Sequence, residues 1–331
     1  MARSSNAAGV FTSFAIEQNA RLLAHVWRMP VVPGVLAAAT EWGIRFESGV
    51  WRSVVAPAQS ASPIRPMVNW HDGGEGPPLL LLNGFTASGV MWPSTWIHEL
   101  KRDHRVIRVD NRGTGWSRRA PAPFTMADLA DDAYDVLMAA GGGKAVVVGL
   151  SMGGMIAQEL AIRHPEVVDR LVLAATIPPV PAWVASPRGI SVAASLTVDS
   201  PGDVEESDVY TSAVGRRLMR LAARSFDPSH DLLVEMGEQA TRRPTKRHGA
   251  YMQGRAINAW RDPQRLTGIT APTAIVQGGQ DRIVPMENAR RLNALIPDSE
   301  IHVVPRCGHL IPWEAGSLLS DIIRDQPIRQ R

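Results

Sequence analysis

From Leu79 onward the chain alternates short apolar runs with longer stretches whose apolar residues recur every three or four positions. That alternation is the signature of a parallel sheet covered by helices on both faces. The short runs predict strands at Leu79 to Leu82, Val106 to Val109, Ala145 to Val148, Leu171 to Ala174, Ala274 to Gln277 and Ile301 to Val304. Between them one helix is predicted to open at Thr125, with Asp128 three residues on as a capping partner and Leu129, Ala133, Val136 and Leu137 on its apolar face. Gly141 to Gly143 end it.

The alternation stops after Ile177-Pro178-Pro179 and resumes near Thr270-Ala271-Pro272. The segment between reads as helical, with Leu218, Leu221, Ala222, Leu232, Leu233 and Met236 at helical spacing. Upstream, Phe11, Ala15, Leu22 and Val26, then Val35, Ala39, Trp42, Phe46 and Val50, suggest helices that end in the Pro- and Ser-containing linker Ala56 to Pro66. The expected organisation is a helical extension over 1–65, a first α/β part over 66–178, a helical insertion over 179–269 and a second α/β part over 270–331.

Composition narrows the class of function. With 45% hydrophobic residues in 331 the chain can bury a large core, so disorder does not describe it. The 35 Lys and Arg nearly balance 32 Asp and Glu, and no stacking aromatics interleave with the run Arg242, Arg243, Lys246 and Arg247, which argues against nucleic acid as a partner. The single cysteine, Cys307, excludes an intramolecular disulfide. No uncharged apolar run reaches the roughly 18 residues that cross a bilayer, and no export signal is evident, so the expected location is cytoplasmic.

The strongest chemical signal is Gly149-Leu150-Ser151-Met152-Gly153, which lies between the apolar run ending at Val148 and a helical run from Met155 to Ile162. A G-x-S-x-G sequence in that context forms a sharp strand-to-helix turn that lifts the serine above the sheet, and the glycines let neighbouring backbones pass. A serine hydroxyl needs a base to take its proton and a carboxylate to orient that base. Asp281, in Gly278-Gly279-Gln280-Asp281, and His309, in Pro305-Arg306-Cys307-Gly308-His309, each follow a predicted strand and come in the order that accompanies such an elbow. All three therefore fall at the carboxyl edge of the sheet, where ligands bind.

Other candidates are weaker. His302 lies inside a strand, and Cys307 lacks an elbow and reads as a packing residue. An oxyanion hole needs two backbone N–H donors, for which Met152, after the serine, and Phe85, in Leu82-Asn83-Gly84-Phe85, are the candidates. Phe85, Met152 and Leu310 beside the reacting groups are expected to contact substrate. Arg216, Arg217, Arg220 and Arg224 read as the solvated face of a helix, the alternative being a cation placed toward an acidic substrate.

Together these motifs resemble the α/β-hydrolase superfamily from about Pro66 to the C-terminus. Asp110-Asn111-Arg112-Gly113-Thr114-Gly115-Trp116-Ser117 is similar to the family's D-x-R-G-x-G-x-S segment, which implies a structural role for Asp110 outside the triad. The resemblance is greatest to small esterases, enol-lactonases, carbon–carbon bond hydrolases and cofactor-free haloperoxidases, and it implies a helical cap between Pro179 and Thr270. A serine at 151 separates the chain from dehalogenases and epoxide hydrolases, which carry aspartate there. Asn83-Gly84 stands where relatives have His-Gly, and the family's N-terminal hairpin is not evident.

The expected activity is therefore cleavage of an ester or lactone through an acyl-enzyme on Ser151, with His309 as base and Asp281 orienting it. Carbon–carbon or polyester-oligomer hydrolysis, or a slow-turnover ligand receptor, are the alternatives. No cofactor and no metal is expected, and the expected partner is a small apolar acyl compound. The N-terminal extension is expected to dock on its own catalytic domain, a homo-oligomer or other surface contact being the alternative.

Overall fold

The structure is a computed structural model that describes residues 44–47, 50–53, 68–117, 122–141, 143–179 and 208–325. The chain divides into two compact units, Met1–Arg65 and Pro66–Arg331.

In the first unit β1 (Ile44–Glu47) and β2 (Val50–Ser53) pair antiparallel, with Ile44 opposite Ser53 and Glu47 opposite Val50. This corrects the expectation of a purely helical extension at Phe46 and Val50. Residues at i and i+4 fit a helical stripe, but here Ser48-Gly49 falls between two runs of β-branched and aromatic residues, and that dipeptide is a hairpin signal. The other proposed stripe residues, from Phe11 to Trp42, lie outside the described residues.

The second unit is built on a seven-stranded sheet in the order β3-β5-β4-β6-β7-β8-β9. Its strands are β3 (Trp70–Gly73), β4 (Pro78–Leu82), β5 (Arg105–Val109), β6 (Ala145–Leu150), β7 (Val168–Ala174), β8 (Thr273–Gly278) and β9 (Ser299–Val304). Only β3 runs antiparallel, against β5; the rest are parallel. All six strands expected from the apolar runs form. Leu79, Leu80, Leu81 and Leu82 are each fully buried, because helices cover both faces of the sheet and a central strand needs no polar side.

The pleat sorts alternate residues into two cores. Leu80, Leu82, Ile107, Val147 and Leu171 face α2 (Met126–Ala139) and α3 (Met152–Arg163). Leu79, Leu81, Val106, Val148 and Val172 face the other side with α1 (Ser94–Leu100) and α8 (Ile311–Ile323). Helix α2 starts where expected: the Thr125 side chain accepts from the N–H of Asp128 at 3.2 Å, and the Asp128 carboxylate accepts from the N–H of Thr125 at 2.9 Å.

Between β7 and β8 the described residues contain α4 (Asp208–Leu218), α5 (His230–Arg242) and α6 (Arg247–Ala259). Their apolar side forms a third cluster, in which Leu218, Leu221, Met236 and Ala240 meet Leu310 and Trp313. The basic side faces solvent, as expected for Arg216, Arg217, Arg220 and Arg224. Helix α7 (Met286–Leu295) follows β8 and packs Ala289 and Leu292 into the first core. No helix among the described residues is long and apolar enough to cross a membrane.

Candidate active site

The strand order reverses beside β4, whose neighbours are β5 on one side and β6 on the other. Such a switch point opens a crevice at the strands' carboxyl ends. The loops after β4 and β6 flank it.

Ser151 sits between β6 and α3 with φ 56° and ψ −117°, a strained conformation for a residue with a side chain. The turn is held by the Ser151 N–H, which donates to the carbonyl of Ala174 at 2.9 Å, and by the Thr176 hydroxyl, which donates to the Ser151 carbonyl at 2.6 Å. The flanking glycines are required by space. A Cβ on Gly153 would lie 1.9 Å from the carbonyl oxygen of Leu82, and one on Gly149 would lie 2.4 Å from that of Gly153.

His309 follows β9, and its Nδ1 lies 2.9 Å from Oδ2 of Asp281, which follows β8. The Asp281 side chain is fully buried. Its other oxygen accepts the N–H groups of Ile283 at 2.7 Å and Val284 at 2.9 Å. A buried carboxylate with its charge so distributed holds a fixed direction, which leaves Nδ1 as the protonated nitrogen and Nε2 as the basic one. Ser151 and His309 line one cavity, together with Phe85, Leu310 and the helical residues Leu218 and Met236.

The loop after β4 stands close to the serine, since a Cβ on Gly84 would lie 3.9 Å from the Ser151 Oγ. Asn83 organises this loop from within. Its amide donates to the carbonyls of Ser88 at 3.1 Å and Met91 at 2.9 Å, and its Oδ1 accepts from the Gly84 N–H at 2.8 Å. Asn83 thus shapes this turn. With the N–H groups of Gly84 and Thr86 already engaged, that of Phe85 is the one in this turn left for a ligand. Met152 opens α3, so its N–H belongs to the unpaired first turn.

The Met152 side chain needs a correction. It is 1% exposed and packs in the core with α2, so Met152 can offer its backbone to a ligand and not its thioether. Phe85 and Leu310 do line the cavity. His302 lies away from it, with Nε2 2.8 Å from Glu300. Cys307 is buried, and burial together with the nearby Glu314 and Asp281 carboxylates pushes its thiol well above the ordinary range, which suits a packing role and not a nucleophile. Asp110 is fully buried and binds the N–H groups of Gly89 at 2.7 Å and Trp116 at 3.0 Å, a loop-holding role. Among the described residues no group of His, Cys, Asp and Glu is arranged to hold a metal ion.

Glu314 was not visible as a site residue in the sequence. Its Oε2 accepts from Gly308 at 2.8 Å and from Ala223 at 2.8 Å, and its Oε1 accepts from Leu310 at 3.0 Å, so it clasps both neighbours of His309. Only a carboxylate five positions after the histidine hinted at it.

The comparisons with known proteins identify the fold family. The alpha/beta hydrolase fold family profile matches residues 77–316. The 2-hydroxymuconate semialdehyde hydrolase of Pseudomonas sp. strain CF600 is 30% identical over 267 residues, which cover 78% of this chain and 89% of that protein. A pimeloyl-[acyl-carrier protein] methyl ester esterase of Vibrio atlanticus is 27% identical, over 77% of this chain and 96% of its own. Among solved structures, a thermophilic esterase from Thermogutta terrifontis superposes with a TM-score of 0.63 at 28% identity, over 78% of this chain and 92% of its own. The chain is a hydrolase of the α/β-hydrolase fold family.

Proposed function

We propose that the protein hydrolyses a neutral carboxylic ester or lactone through an acyl-enzyme on Ser151. His309 takes the serine proton as the hydroxyl attacks the acyl carbon. The same proton then goes to the departing alcohol, and water enters by the reverse sequence. Asp281 holds the imidazole in its tautomer, and the N–H groups of Phe85 and Met152 receive the tetrahedral oxyanion. The α4 to α6 segment acts as a lid that excludes water.

One observation carries the choice of a neutral substrate: among the described residues, no Lys, Arg, Asp or Glu side chain lines the cavity around Ser151 and His309. Its walls include Phe85, Met91, Leu218, Leu221, Met236 and Trp313. A carboxylate buried against these described walls meets no counter-ion among them and carries a desolvation cost of several kcal/mol, on the order of that for an unpaired ion. The similarity to an esterase of Thermogutta terrifontis and to a methyl ester esterase of Vibrio atlanticus supports the same reading.

Carbon–carbon bond hydrolysis is the second reading, favoured by the 30% identity to 2-hydroxymuconate semialdehyde hydrolase. It stands behind the first because a muconate is a carboxylate and no cation is among the described residues that line the cavity. The test is a panel of p-nitrophenyl esters and lactones, carboxylate-bearing esters of equal size and a vinylogous diketone acid, with Ser151→Ala as control. Neutral esters or lactones should turn over fastest, and only with Ser151 present. A strong preference for the charged analogues, or turnover by Ser151→Ala, overturns the proposal.

A further inference from the structure

Thr86 has φ 62°, a left-handed backbone that a β-branched residue keeps only where its surroundings hold it. Both of its backbone groups are held by the helical segment and not by the sheet. Its N–H donates to Oε1 of Gln253 at 2.9 Å, and its carbonyl accepts from the Thr245 hydroxyl at 2.7 Å. Gln253 lies on α6 and is fully buried. Its Nε2 donates to the carbonyl of Arg112 at 2.9 Å. One end of the amide therefore faces a donor and the other an acceptor, which fixes its orientation chemically.

The anchor behind Gln253 is rigid. Arg112 forms a buried two-pronged pair with Asp132 of α2, its Nη2 lying 2.8 Å from Oδ1 and its Nε donating to Oδ2. Helix α6 meets the same loop backbone to backbone, since a Cβ on Gly249 would lie 2.0 Å from the carbonyl oxygen of Gly113. On the inner side of the turn, Gly84 gives its N–H to Asn83 and accepts the N–H of Ala87 at 3.1 Å. Phe85 is thus suspended between two held peptide planes, Gly84–Phe85, fixed at the Gly84 carbonyl by the Ala87 N–H, and Phe85–Thr86, fixed at the Thr86 N–H by Gln253.

We propose that Gln253 is a positioning residue for the oxyanion donor: by holding the Phe85–Thr86 peptide from the lid side, it aims the Phe85 N–H at the acyl oxygen, with Thr245 as the second hold. This rests on the acyl-transfer reading of Ser151. Replacing Gln253 by methionine fills the same space but leaves the Thr86 N–H and the Arg112 carbonyl without partners. Thr86 then relaxes from its left-handed conformation and the Phe85 N–H turns with it. The loss falls on the transition state, because the full negative oxygen exists only there.

The experiment measures hydrolysis of p-nitrophenyl butyrate by wild type, Gln253→Met, Thr245→Val and Thr245→Ser, each checked by thermal unfolding. It also compares inhibition by an alkyl trifluoromethyl ketone, which forms the oxyanion, with that by the unfluorinated ketone, which binds without forming it to the same extent. Gln253→Met should lower kcat by roughly 10- to 100-fold with KM nearly unchanged, and weaken the trifluoromethyl ketone by the same factor while sparing the plain ketone. Thr245→Val should show a smaller loss of the same kind, which Thr245→Ser restores. If Gln253→Met does not fold, the Thr245 pair decides alone. Unchanged kcat and inhibition in folded variants, or equal weakening of both ketones, overturns the role of Gln253. Wild type that neither cleaves esters or lactones nor reacts with a fluorophosphonate overturns the acyl-transfer reading and this proposal with it.

Discussion

The backbone N–H of His309 donates to the carbonyl oxygen of Leu221 at 3.0 Å, so the loop that carries the proposed base is bonded directly to the helical segment over the cavity. Gly308 closes the contact, since a Cβ there would lie 2.3 Å from the backbone nitrogen of Ala223. The position of the imidazole is thus set from two directions, by Asp281 through its ring and by the helical segment through its backbone.

Glu314 makes that junction vulnerable to a single substitution. Glu314→Ala strands the N–H groups of Gly308, Leu310 and Ala223, and should destabilise the protein by about 2–4 kcal/mol, the scale of lost hydrogen bonds to a charged acceptor. Glu314→Gln keeps the acceptor oxygens in part and should cost less. Urea unfolding of both variants measures this, and equal stability of Glu314→Ala and wild type would contradict it.

Asp281→Asn should lower kcat by several orders of magnitude while the protein remains folded. Asparagine keeps an oxygen for the Ile283 and Val284 N–H groups but can present an N–H toward His309, which turns the proton to Nε2 and leaves no base beside the serine. Steady-state ester hydrolysis with matched circular dichroism spectra tests it. Near-normal kcat would mean that another carboxylate orients the ring.

The strands and the candidate nucleophile, base and acid were legible because each depends on residues adjacent in sequence. A run such as Leu79 to Leu82 can satisfy its side chains only inside a covered sheet, and Gly149 and Gly153 flank Ser151 for reasons of local space. Gln253, Glu314 and Asn83 were not legible. Gln253 meets Thr86 across 167 positions, and nothing near either residue in sequence reports that meeting. The hairpin of β1 and β2 departs from the expectation for the opposite reason: Phe46 and Val50, four apart, fit a helix stripe, but the tight turn between them puts them on paired strands, Val50 opposite Glu47 and Phe46 opposite Trp51.

A pH-dependent contribution to stability sits at the end of α8. Arg324 donates to Asp103 at 2.6 Å and to Glu99 at 3.0 Å, tying this helix to α1, and the hydrogen bond from Arg324 holds the Asp103 carboxyl below its usual value. A carboxylate depressed in the folded state stabilises above its unfolded pKa, about 3.9, and that stability is lost as the pH falls through the folded value. Asp103 is 44% exposed, so screening limits the contribution to roughly 0.5–1 kcal/mol. Arg324→Ala should therefore be less stable than wild type at pH 7, with the difference shrinking as the pH falls below the ordinary Asp range. A difference that grows on acidification would reverse the assignment.

The last prediction concerns the N-terminal unit. Every residue proposed for the chemistry, from Phe85 to His309, belongs to the unit Pro66–Arg331, as does the whole seven-stranded sheet. The family match lies within the same span, at residues 77–316. A chain that begins at residue 64 therefore keeps both cores and all the hydrogen bonds described around Ser151, Asp281 and His309. It should fold, react with a fluorophosphonate at Ser151 and retain a kcat for a soluble ester of the same order as that of the full chain. What the deletion should change is behaviour set by the extension itself, namely solubility, assembly or the choice among larger substrates. Probe labelling, size-exclusion chromatography and a chain-length series of esters on both proteins separate these effects. A truncated protein that folds but no longer labels would show that the first 65 residues take part in forming the site, since removal of a mere surface element leaves the nucleophile's strained turn and its base untouched.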